Sequence, residues 1–253
     1  MAELRFDDRV AVITGAGRGL GRAYALLLAS RGAKVVVNDP GVGMGGEGVD
    51  VGPAEEVARE IREAGGEAIA CLESVATPEG GKAIVEAALD SFGRIDALIH
   101  NAGIVRRGSL AELSYEDWEA VLDVHLRGAF HVVRPAFPRM TQAGYGRIVL
   151  TGSINGLYGN AGVANYSAAK GGTIALSHVA ALEGAAHNVK SNVILPGAVT
   201  QSTPYSSRIR TAASSSGPAR RAISTQATPR LATACASASP VPSEAPAMTA
   251  HGP

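Results

Sequence analysis

Short apolar runs alternate with amphipathic segments over the first 200 residues of the chain. The apolar runs are bounded by Gly, Asn, Asp or charged residues, and they predict β-strands at 9–14, 34–39, 67–72, 95–101, 147–151 and 189–195. The segments between them predict helices at 19–30, 53–64, 79–91, 114–140 and 163–187. Apolar strands that alternate with helices are typical of an α/β protein, so we expect a doubly wound, mostly parallel six-stranded sheet covered on both faces.

This alternating pattern stops near residue 200. About two thirds of residues 201–253 are Ala, Ser, Thr or Pro, and their apolar positions show neither strand nor helix periodicity. Such a segment buries too little apolar surface to offset its ordering entropy, so we predict one domain at 1–200 and a low-complexity, disordered tail at 201–253. A reading-frame change near residue 200 of a GC-rich gene would produce this composition, and a native extension is the alternative.

Charge and cysteine content narrow the classes of partner and compartment. Basic and acidic residues number 23 each, so the net charge of zero provides no attraction for nucleic acid or an anionic membrane. The chain has no apolar run of about 18 residues, and charges occupy the N-terminus where a signal peptide would be apolar. Cys71 and Cys235 form neither a disulfide framework nor a metal-binding pair, so we predict a cytoplasmic protein without a metal site.

A glycine-rich turn joins the first predicted strand to the first predicted helix. Residues 14–21 are Thr-Gly-Ala-Gly-Arg-Gly-Leu-Gly. Glycine lets the backbone approach a pyrophosphate closely, and the N-terminus of the following helix supplies unpaired N–H groups. Between a strand and a helix the motif indicates the dinucleotide site of a Rossmann domain, with contacts from Gly15, Arg18, Gly19, Leu20 and Gly21.

Asp39, at the end of the second predicted strand, bears on which nicotinamide cofactor binds. A carboxylate there can accept hydrogen bonds from the adenosine ribose hydroxyls, and it would repel the 2′-phosphate of NADP. Arg18 could instead pair with that phosphate. We expect Asp39 to dominate because it sits where the ribose edge must lie, and we therefore predict NAD, with NADP as the alternative.

Tyr166 and Lys170 form the candidate catalytic pair. Their i, i+4 spacing puts the phenol and the ammonium on one face of the predicted helix at 163–187. A nearby ammonium favours the phenolate, which is the form that can take a proton from an alcohol. Ser153 follows the fifth predicted strand, so it should open onto the same crevice as the glycine-rich turn, at the carboxyl ends of the strands.

Together with the turn Asn101-Ala102-Gly103, these motifs resemble those of the short-chain dehydrogenase/reductase family, and the resemblance covers residues 4 to about 200. It implies that Tyr166 is the general acid/base, that Lys170 favours its phenolate and holds the nicotinamide ribose, and that Ser153 hydrogen-bonds the reacting oxygen. It also implies further cofactor contacts from the loops that follow other strands, namely Ser74, Val75, Asn101, Ala102, Gly103, Pro196, Gly197 and Val199.

Within the family, several stretches resemble the (3R)-hydroxyacyl-CoA dehydrogenase domains of type 2 peroxisomal multifunctional enzymes. They include residues 21–26, 35–39 and 125–128, and a Gly-rich insertion follows Asp39. His125 stands where many family members have a catalytic Asn and where this subfamily has His, which implies a proton relay beneath Lys170, with a structural role as the alternative.

The same resemblance implies a small-molecule substrate, with a 3-hydroxyacyl-CoA favoured. Two alternatives stay open: a different secondary alcohol, such as a sugar, steroid or acyl-carrier substrate, or a nucleotide-binding product that is inactive through its altered C-terminus. The family also implies a seventh strand and a homo-oligomer formed through the two long helices, 114–140 and 163–187. The tail contains no apolar run for that strand.

Overall fold

The computed structural model describes residues 4–48 and 52–196. The strands in this part of the chain are β1 (Val10–Thr14), β2 (Lys34–Asn38), β3 (Ala68–Cys71), β4 (Ala97–His100), β5 (Gly146–Thr151) and β6 (Val189–Ile194). The α-helices are α1 (Gly19–Ser30), α2 (Gly52–Glu63), α3 (Pro78–Phe92), α4 (Tyr115–Leu122), α5 (Gly128–Gln142), α6 (Asn155–Tyr158) and α7 (Ala164–Gly184).

All six strands pair in parallel in one sheet, in the order β3-β2-β1-β4-β5-β6. From β1 the chain adds β2 and β3 to one side, and it then returns to add β4, β5 and β6 to the other. The strand order therefore reverses between β1 and β4, and a crevice opens there at the carboxyl ends of the strands. This topology confirms the predicted doubly wound Rossmann fold.

Both faces of the central strands β1 and β2 are buried, which explains why these strands lack a polar face. Along β1, Val10 and Val12 belong to one hydrophobic cluster, whereas Ala11 and Ile13 belong to another on the opposite face. The first cluster contains residues of α3 and α5, and the second contains residues of α1 and α2. The two layers of helices thus hold β1 at the centre of the molecule, where its carboxyl end reaches the crevice.

The predicted continuous helix at 114–140 is wrong at one place. A π-helical turn, Asp123–Arg127, separates α4 from α5. The residues of this turn suit an ordinary α-helix about as well, so local propensity gives no sign of it. Tertiary contacts provide the reason: His125 is buried within the turn, and the following Gly128 lies so close to Val75 that an added Cβ would approach its Cγ2 to 2.9 Å. Turns of this kind occur frequently at functional sites.

The remaining differences from the predicted elements are small. The short helix α6 is absent from the prediction, and α7 ends three residues earlier than predicted, in a 3₁₀ turn at Ala185–His187. The expected seventh strand, the predicted tail at 201–253 and two predicted cofactor contacts, Gly197 and Val199, lie outside the described residues.

Candidate active site

A cleft of about 540 Å³ lies at the carboxyl ends of the strands. Most of the predicted site residues line it, although they come from loops that are far apart in the sequence. They are Gly15, Arg18, Gly19, Leu20, Asp39, Ser74, Val75, Asn101, Ala102, Gly103, His125, Tyr166 and Lys170. Gly21, Ser153 and Pro196 do not line the cleft themselves.

Close contacts beneath the cleft explain two glycines of the turn after β1. Gly15 has a φ of +64°, and a Cβ on it would lie 2.7 Å from the Cα of Ala102. A Cβ on the buried Gly21 would lie 2.1 Å from the carbonyl oxygen of Gly15. These two positions therefore allow α1 to begin directly below the turn, with its positive end and backbone N–H groups directed at an anion in the cleft.

Asp39 connects the turn to the Gly-rich insertion. Its Oδ2 accepts a hydrogen bond from the Gly17 N–H at 3.0 Å, and its Oδ1 accepts one from the Gly41 N–H at 2.9 Å. A carboxylate has about four acceptor positions, so two remain for other donors. Asp39 also lines the cleft. Its position is compatible with hydrogen bonds from ribose hydroxyls.

Thr14 and His100 form a buried pair at the ends of β1 and β4. The Thr14 hydroxyl accepts hydrogen bonds from the N–H groups of Asn101 and Ala102, both at 3.1 Å. Its two lone pairs are then used, so its own hydrogen must be donated to His100 Nδ1, at 3.1 Å. Burial, followed by the charge of Lys170, lowers the pKa of His100 to about 3. His100 is consequently neutral at pH 7, with its proton on Nε2.

Lys170 is 2% exposed, unusually low for a charged side chain. Its Nζ donates a hydrogen bond to the Thr151 carbonyl and lies 5.6 Å from the centre of the Tyr166 ring. Burial lowers the pKa of Lys170 to about 7, because desolvation penalises the ammonium form. The charge of Lys170 therefore depends on what occupies the cleft, and a phenolate at Tyr166 would favour the ammonium.

His125 lies in the π turn, and its ring meets the Tyr166 ring edge-on with 5.1 Å between the centroids. Its Nε2 lies 3.2 Å from the Ile104 nitrogen but only 2.8 Å from the Ile104 carbonyl oxygen. The shorter contact decides the tautomer, since two lone pairs would repel at that distance, so Nε2–H donates to the carbonyl. Burial, followed by Lys170, holds the pKa of His125 well below its usual range.

The unprotonated Nδ1 of His125 is buried and has no hydrogen-bond partner among residues 4–48 and 52–196. In this state the ring can accept a proton at Nδ1, but the buried surroundings oppose the resulting positive charge. The geometry is compatible with both of the roles that the sequence left open for His125, a proton relay and a structural histidine.

Asn165 fixes the backbone in front of Tyr166. This fully buried amide donates from Nδ2 to the carbonyl oxygens of Arg106 and Asp117, at 3.1 and 3.0 Å. Its Oδ1 accepts the Tyr166 N–H at 2.8 Å. The first turn of α7 is thereby tied to α4 and to the loop after β4, and the phenol is carried on a backbone with little freedom to move.

Ser153 lies just before α6, the short helix that packs on α7. Its Oγ accepts a hydrogen bond from the Asn155 N–H at 3.2 Å. The next turn packs closely on α7, since a Cβ on Gly156 would lie 2.7 Å from the carbonyl carbon of Lys170. Ser153 thus borders the α7 face that carries Lys170, outside the lining of the cleft.

No role was predicted for four polar residues that support the site, Thr14, His100, Arg106 and Asn165. All except Arg106 are completely buried. Each makes hydrogen bonds to residues distant in sequence, and no periodicity reveals those partners, although Thr14 opens the glycine-rich motif. The available signal was positional, because Thr14 is the last residue of the first predicted strand, His100 is the next-to-last residue of the fourth, and Asn165 directly precedes Tyr166.

The comparisons with known proteins agree with this geometry. Residues 9–213 match the family described as short chain dehydrogenase. The chain belongs to the short-chain dehydrogenase family, and it is accordingly an oxidoreductase of a class that binds a nicotinamide cofactor. The match passes residue 200, where the sequence pattern predicts the end of the domain, and this boundary stays a prediction.

Relatives are known from bacteria and animals. The chain is 53% identical over 201 residues to peroxisomal multifunctional enzyme type 2 of Drosophila melanogaster, an alignment that covers 79% of this chain and 33% of that protein. It is 50% identical over 197 residues to a short-chain type dehydrogenase/reductase of Mycobacterium tuberculosis, covering 78% of this chain and 69% of that one. The chain therefore spans about a third of the fly enzyme and about two thirds of the mycobacterial protein.

Two solved structures share the fold. A short chain dehydrogenase from Mycobacterium avium superposes with a TM-score of 0.70 at 44% identity, over 75% of this chain and 68% of that one. The full-length Drosophila melanogaster peroxisomal multifunctional enzyme type 2 superposes with a TM-score of 0.64 at 46% identity, over 79% of this chain and 32% of that one. These similarities confirm the predicted family, including its resemblance to the type 2 multifunctional enzymes.

The described residues also bear on membrane and metal as partners. Within 4–48 and 52–196, no helix is both long and apolar enough to cross a bilayer. In the same part of the chain, no three His, Cys, Asp or Glu side chains lie together as a metal site would require.

Proposed function

We propose that this chain is an NAD-dependent dehydrogenase that interconverts a 3-hydroxyacyl-CoA and the corresponding 3-oxoacyl-CoA. The observation that carries the proposal is the single cleft shared by the glycine-rich turn, Asp39 and the pair Tyr166 and Lys170. This shared lining supports a nucleotide site adjacent to a proton-transfer pair, an arrangement that oxidation of an alcohol requires. The similarity to relatives named peroxisomal multifunctional enzyme type 2 supports the acyl-CoA substrate.

The cleft fits a dinucleotide cofactor. At Gly15 and Gly21 an added Cβ would clash with the backbone of Ala102 and with the Gly15 carbonyl, so these glycines keep the turn packed directly on α1, and the N–H groups that begin α1 are available to a pyrophosphate. Asp39 would hold the adenosine ribose, and Lys170 would hold the nicotinamide ribose. The other proposed contacts are Arg18, Gly19, Leu20, Ser74, Val75, Asn101, Ala102, Gly103, Pro196, Gly197 and Val199. When bound, the cofactor supplies the hydride chemistry.

The residues of the chain supply proton transfer and orientation. We assign Tyr166 as the general base that takes the hydroxyl proton of the alcohol, and as the acid in the reverse direction. Lys170, positioned 5.6 Å from the ring centre, would stabilise the phenolate. Ser153 would donate a hydrogen bond to the reacting oxygen, and His125 is the candidate proton relay below the pair.

The substrate assignment is tested by measuring NADH formation with a panel of alcohols: (3R)- and (3S)-hydroxyacyl-CoA, a sugar, a steroid and an acyl-carrier substrate. The proposal expects kcat/KM for a 3-hydroxyacyl-CoA to exceed that for the other alcohols by at least about tenfold, or 1.4 kcal/mol. Turnover of only another alcohol would instead support the second candidate, a dehydrogenase for that class. NAD binding without any turnover would indicate the inactive product.

Asp39→Ala is expected to narrow or reverse the preference for NAD. The substitution removes the carboxylate charge that repels a 2′-phosphate, and Arg18 is still present to pair with that phosphate. The ratio of the NADH and NADPH affinities should therefore change by about tenfold or more. Calorimetric titration with NADH and NADPH measures this ratio. Asp39→Asn distinguishes the effect of the charge from the effect of the lost hydrogen bonds. It removes the charge but keeps an oxygen that can accept from one of the two backbone N–H groups, Gly17 or Gly41.

Asp90→Ala provides the control, since it removes an exposed carboxylate on α3, outside the lining of the cleft. An affinity ratio that stays at the wild-type value in both Asp39 variants would show that this carboxylate does not face the ribose.

We also propose that the chain forms a homo-oligomer through the long helices. Phe130 on α5 is 49% exposed, and Val179 and Leu182 on α7 are 49% and 79% exposed. Exposed large apolar side chains on both helices support the proposal, because apolar surface of this kind is buried at subunit interfaces. The neutral net charge provides no argument for nucleic acid or a membrane as a partner. Three expectations stay predictions from sequence: the cytoplasmic location, the domain at 1–200 and the tail at 201–253.

A further inference from the structure

The Gly-rich insertion after Asp39 forms one side of the cleft. The structure describes its residues 41–48, which we call the insertion segment. Its residues Val42, Gly43, Met44 and Gly46 are part of the lining. The segment has little apolar surface of its own, and its internal hydrogen bonds include Gly43 N–H to Glu47 O at 2.8 Å and Gly46 N–H to Gly43 O at 2.9 Å. Its position must therefore depend on contacts with the rest of the molecule.

Those contacts come from the loop after β4. The Val105 N–H donates to the Met44 carbonyl at 3.0 Å, and Arg106 Nε donates to the Gly45 carbonyl at 3.0 Å. A Cβ on Gly46 would lie 3.1 Å from Ile104 Cδ1, so the two loops also touch through apolar atoms. Of these contacts, the hydrogen bond from the Arg106 side chain is the one that a substitution can remove while the backbone hydrogen bond stays.

Arg106 is held from the opposite direction as well. Its side chain is 19% exposed, and one terminal nitrogen donates to Asp117 Oδ1 at 3.0 Å. Glu116, 89% exposed, lies 4.0 Å from the same nitrogen and adds little through solvent. The guanidinium thus spans from the insertion segment to α4, a geometry that requires a planar group with donors on two edges.

The backbone of Arg106 completes a connection to the catalytic helix. Its carbonyl accepts from Asn165 Nδ2 at 3.1 Å, and the same amide binds the Asp117 carbonyl and the Tyr166 N–H. On the other side, the insertion segment begins at Gly41, whose N–H binds Asp39 Oδ1. Hydrogen bonds at its two ends and the short backbone stretch 41–45 between them therefore link Asp39, the candidate ribose-binding residue, to Asn165 beside the phenol, and Arg106 lies in the middle of this connection.

We propose that Arg106 is a positioning residue that fastens the insertion segment as a fixed wall of the cofactor cleft. The inference rests on the proposed place of the cofactor in this cleft. Without the guanidinium, the segment retains the Val105 bond but loses its side-chain anchor, so it moves away from the β4 loop more often. Asp39 moves with it, and cofactor affinity falls while the proton-transfer pair stays in place.

The test compares Arg106→Met with Arg106→Lys in the full chain. Arg106→Met keeps the aliphatic stem and removes both side-chain hydrogen bonds, and we expect a rise of about tenfold in the dissociation constant and KM for NAD, with kcat changed less than threefold. Arg106→Lys keeps the charge but can satisfy only one of the two partners at a time, so it should restore part of the affinity.

A second measurement needs no cofactor and is independent of the proposed function. Glu47 is exposed in the insertion segment, and a Glu-specific protease releases a fragment that ends there, which mass spectrometry identifies. We expect Arg106→Met to increase the rate of cleavage at Glu47 about tenfold. Cleavage at other glutamates and the urea unfolding midpoint should change little, because a general loss of stability would accelerate cleavage throughout the chain.

Arg107→Met is the matched control. Arg107 is the next residue after Arg106 and is exposed, and its substitution by Met removes the same positive charge. It should leave NAD affinity and Glu47 cleavage unchanged. Asp117→Asn removes the other anchor of the guanidinium and should give an intermediate effect even if Arg106→Met folds poorly. The proposal is overturned if Glu47 cleavage stays at the wild-type rate in Arg106→Met, or if Arg107→Met changes cleavage and NAD affinity as much as Arg106→Met does. Faster Glu47 cleavage in Arg106→Met with unchanged NAD affinity would show that Arg106 fastens the insertion segment, but it would refute the role of that segment in cofactor binding.

Discussion

Replacing Tyr166 with Phe is expected to lower kcat by about 10²–10⁴-fold, the usual contribution of a general acid/base. The ring would keep its edge-on contact with His125 and its place above Lys170, because neither contact uses the hydroxyl. Cofactor affinity should therefore stay within about twofold of wild type. Steady-state kinetics with the best alcohol of the panel and a calorimetric titration with NADH measure the two quantities separately.

Tyr158→Phe is the control for this change. Tyr158 lies on α6 with 80% of its surface exposed. Its substitution by Phe removes the same kind of hydroxyl and leaves Tyr166 and Lys170 unchanged. Its kcat should match wild type. If Tyr166→Phe retained more than about a tenth of wild-type turnover, Tyr166 would not be the general base.

Gly21→Ala should abolish tight cofactor binding. The new Cβ would lie 2.1 Å from the Gly15 carbonyl oxygen and 2.8 Å from Asn101 Nδ2, and a backbone atom cannot move aside as a flexible side chain can. Insertion of a methyl group into such a contact costs about 1–3 kcal/mol and forces a backbone shift. The turn must then separate from α1, so we expect NAD affinity to fall at least about tenfold.

The control for this prediction is Gly93→Ala at the end of α3. Gly93 has a φ of +74° with nothing within 4 Å of its added Cβ, so alanine there introduces backbone strain of about 1 kcal/mol without a clash. Urea unfolding should show a loss of stability in both variants, whereas calorimetry should show a loss of affinity only in Gly21→Ala. Wild-type affinity in Gly21→Ala would mean that the turn does not hold the cofactor.

Several features of this protein follow from neighbouring residues, and the sequence by itself determined them. Short apolar runs such as those of β1 and β2 lack a polar face, and their alternation with amphipathic segments indicated a doubly wound parallel sheet before any contact was known. The spacing of Tyr166 and Lys170 on one helix, and the position of the glycine-rich turn between β1 and α1, are local relations of the same kind. Helical and extended geometry impose a fixed periodicity, so local spacing is sufficient to predict them.

Only the tertiary structure decided the features that depend on distant residues. The π turn at Asp123–Arg127 has the composition of an ordinary helix and forms in the packed molecule. The tautomer of His100 follows from Thr14, 86 positions away, and Arg106 meets Gly45 across 61 positions. A hydrogen bond between such residues depends on where the folded sheet brings two loops together. It leaves no spacing or periodicity in the sequence, because the chain between the partners can vary without changing the contact.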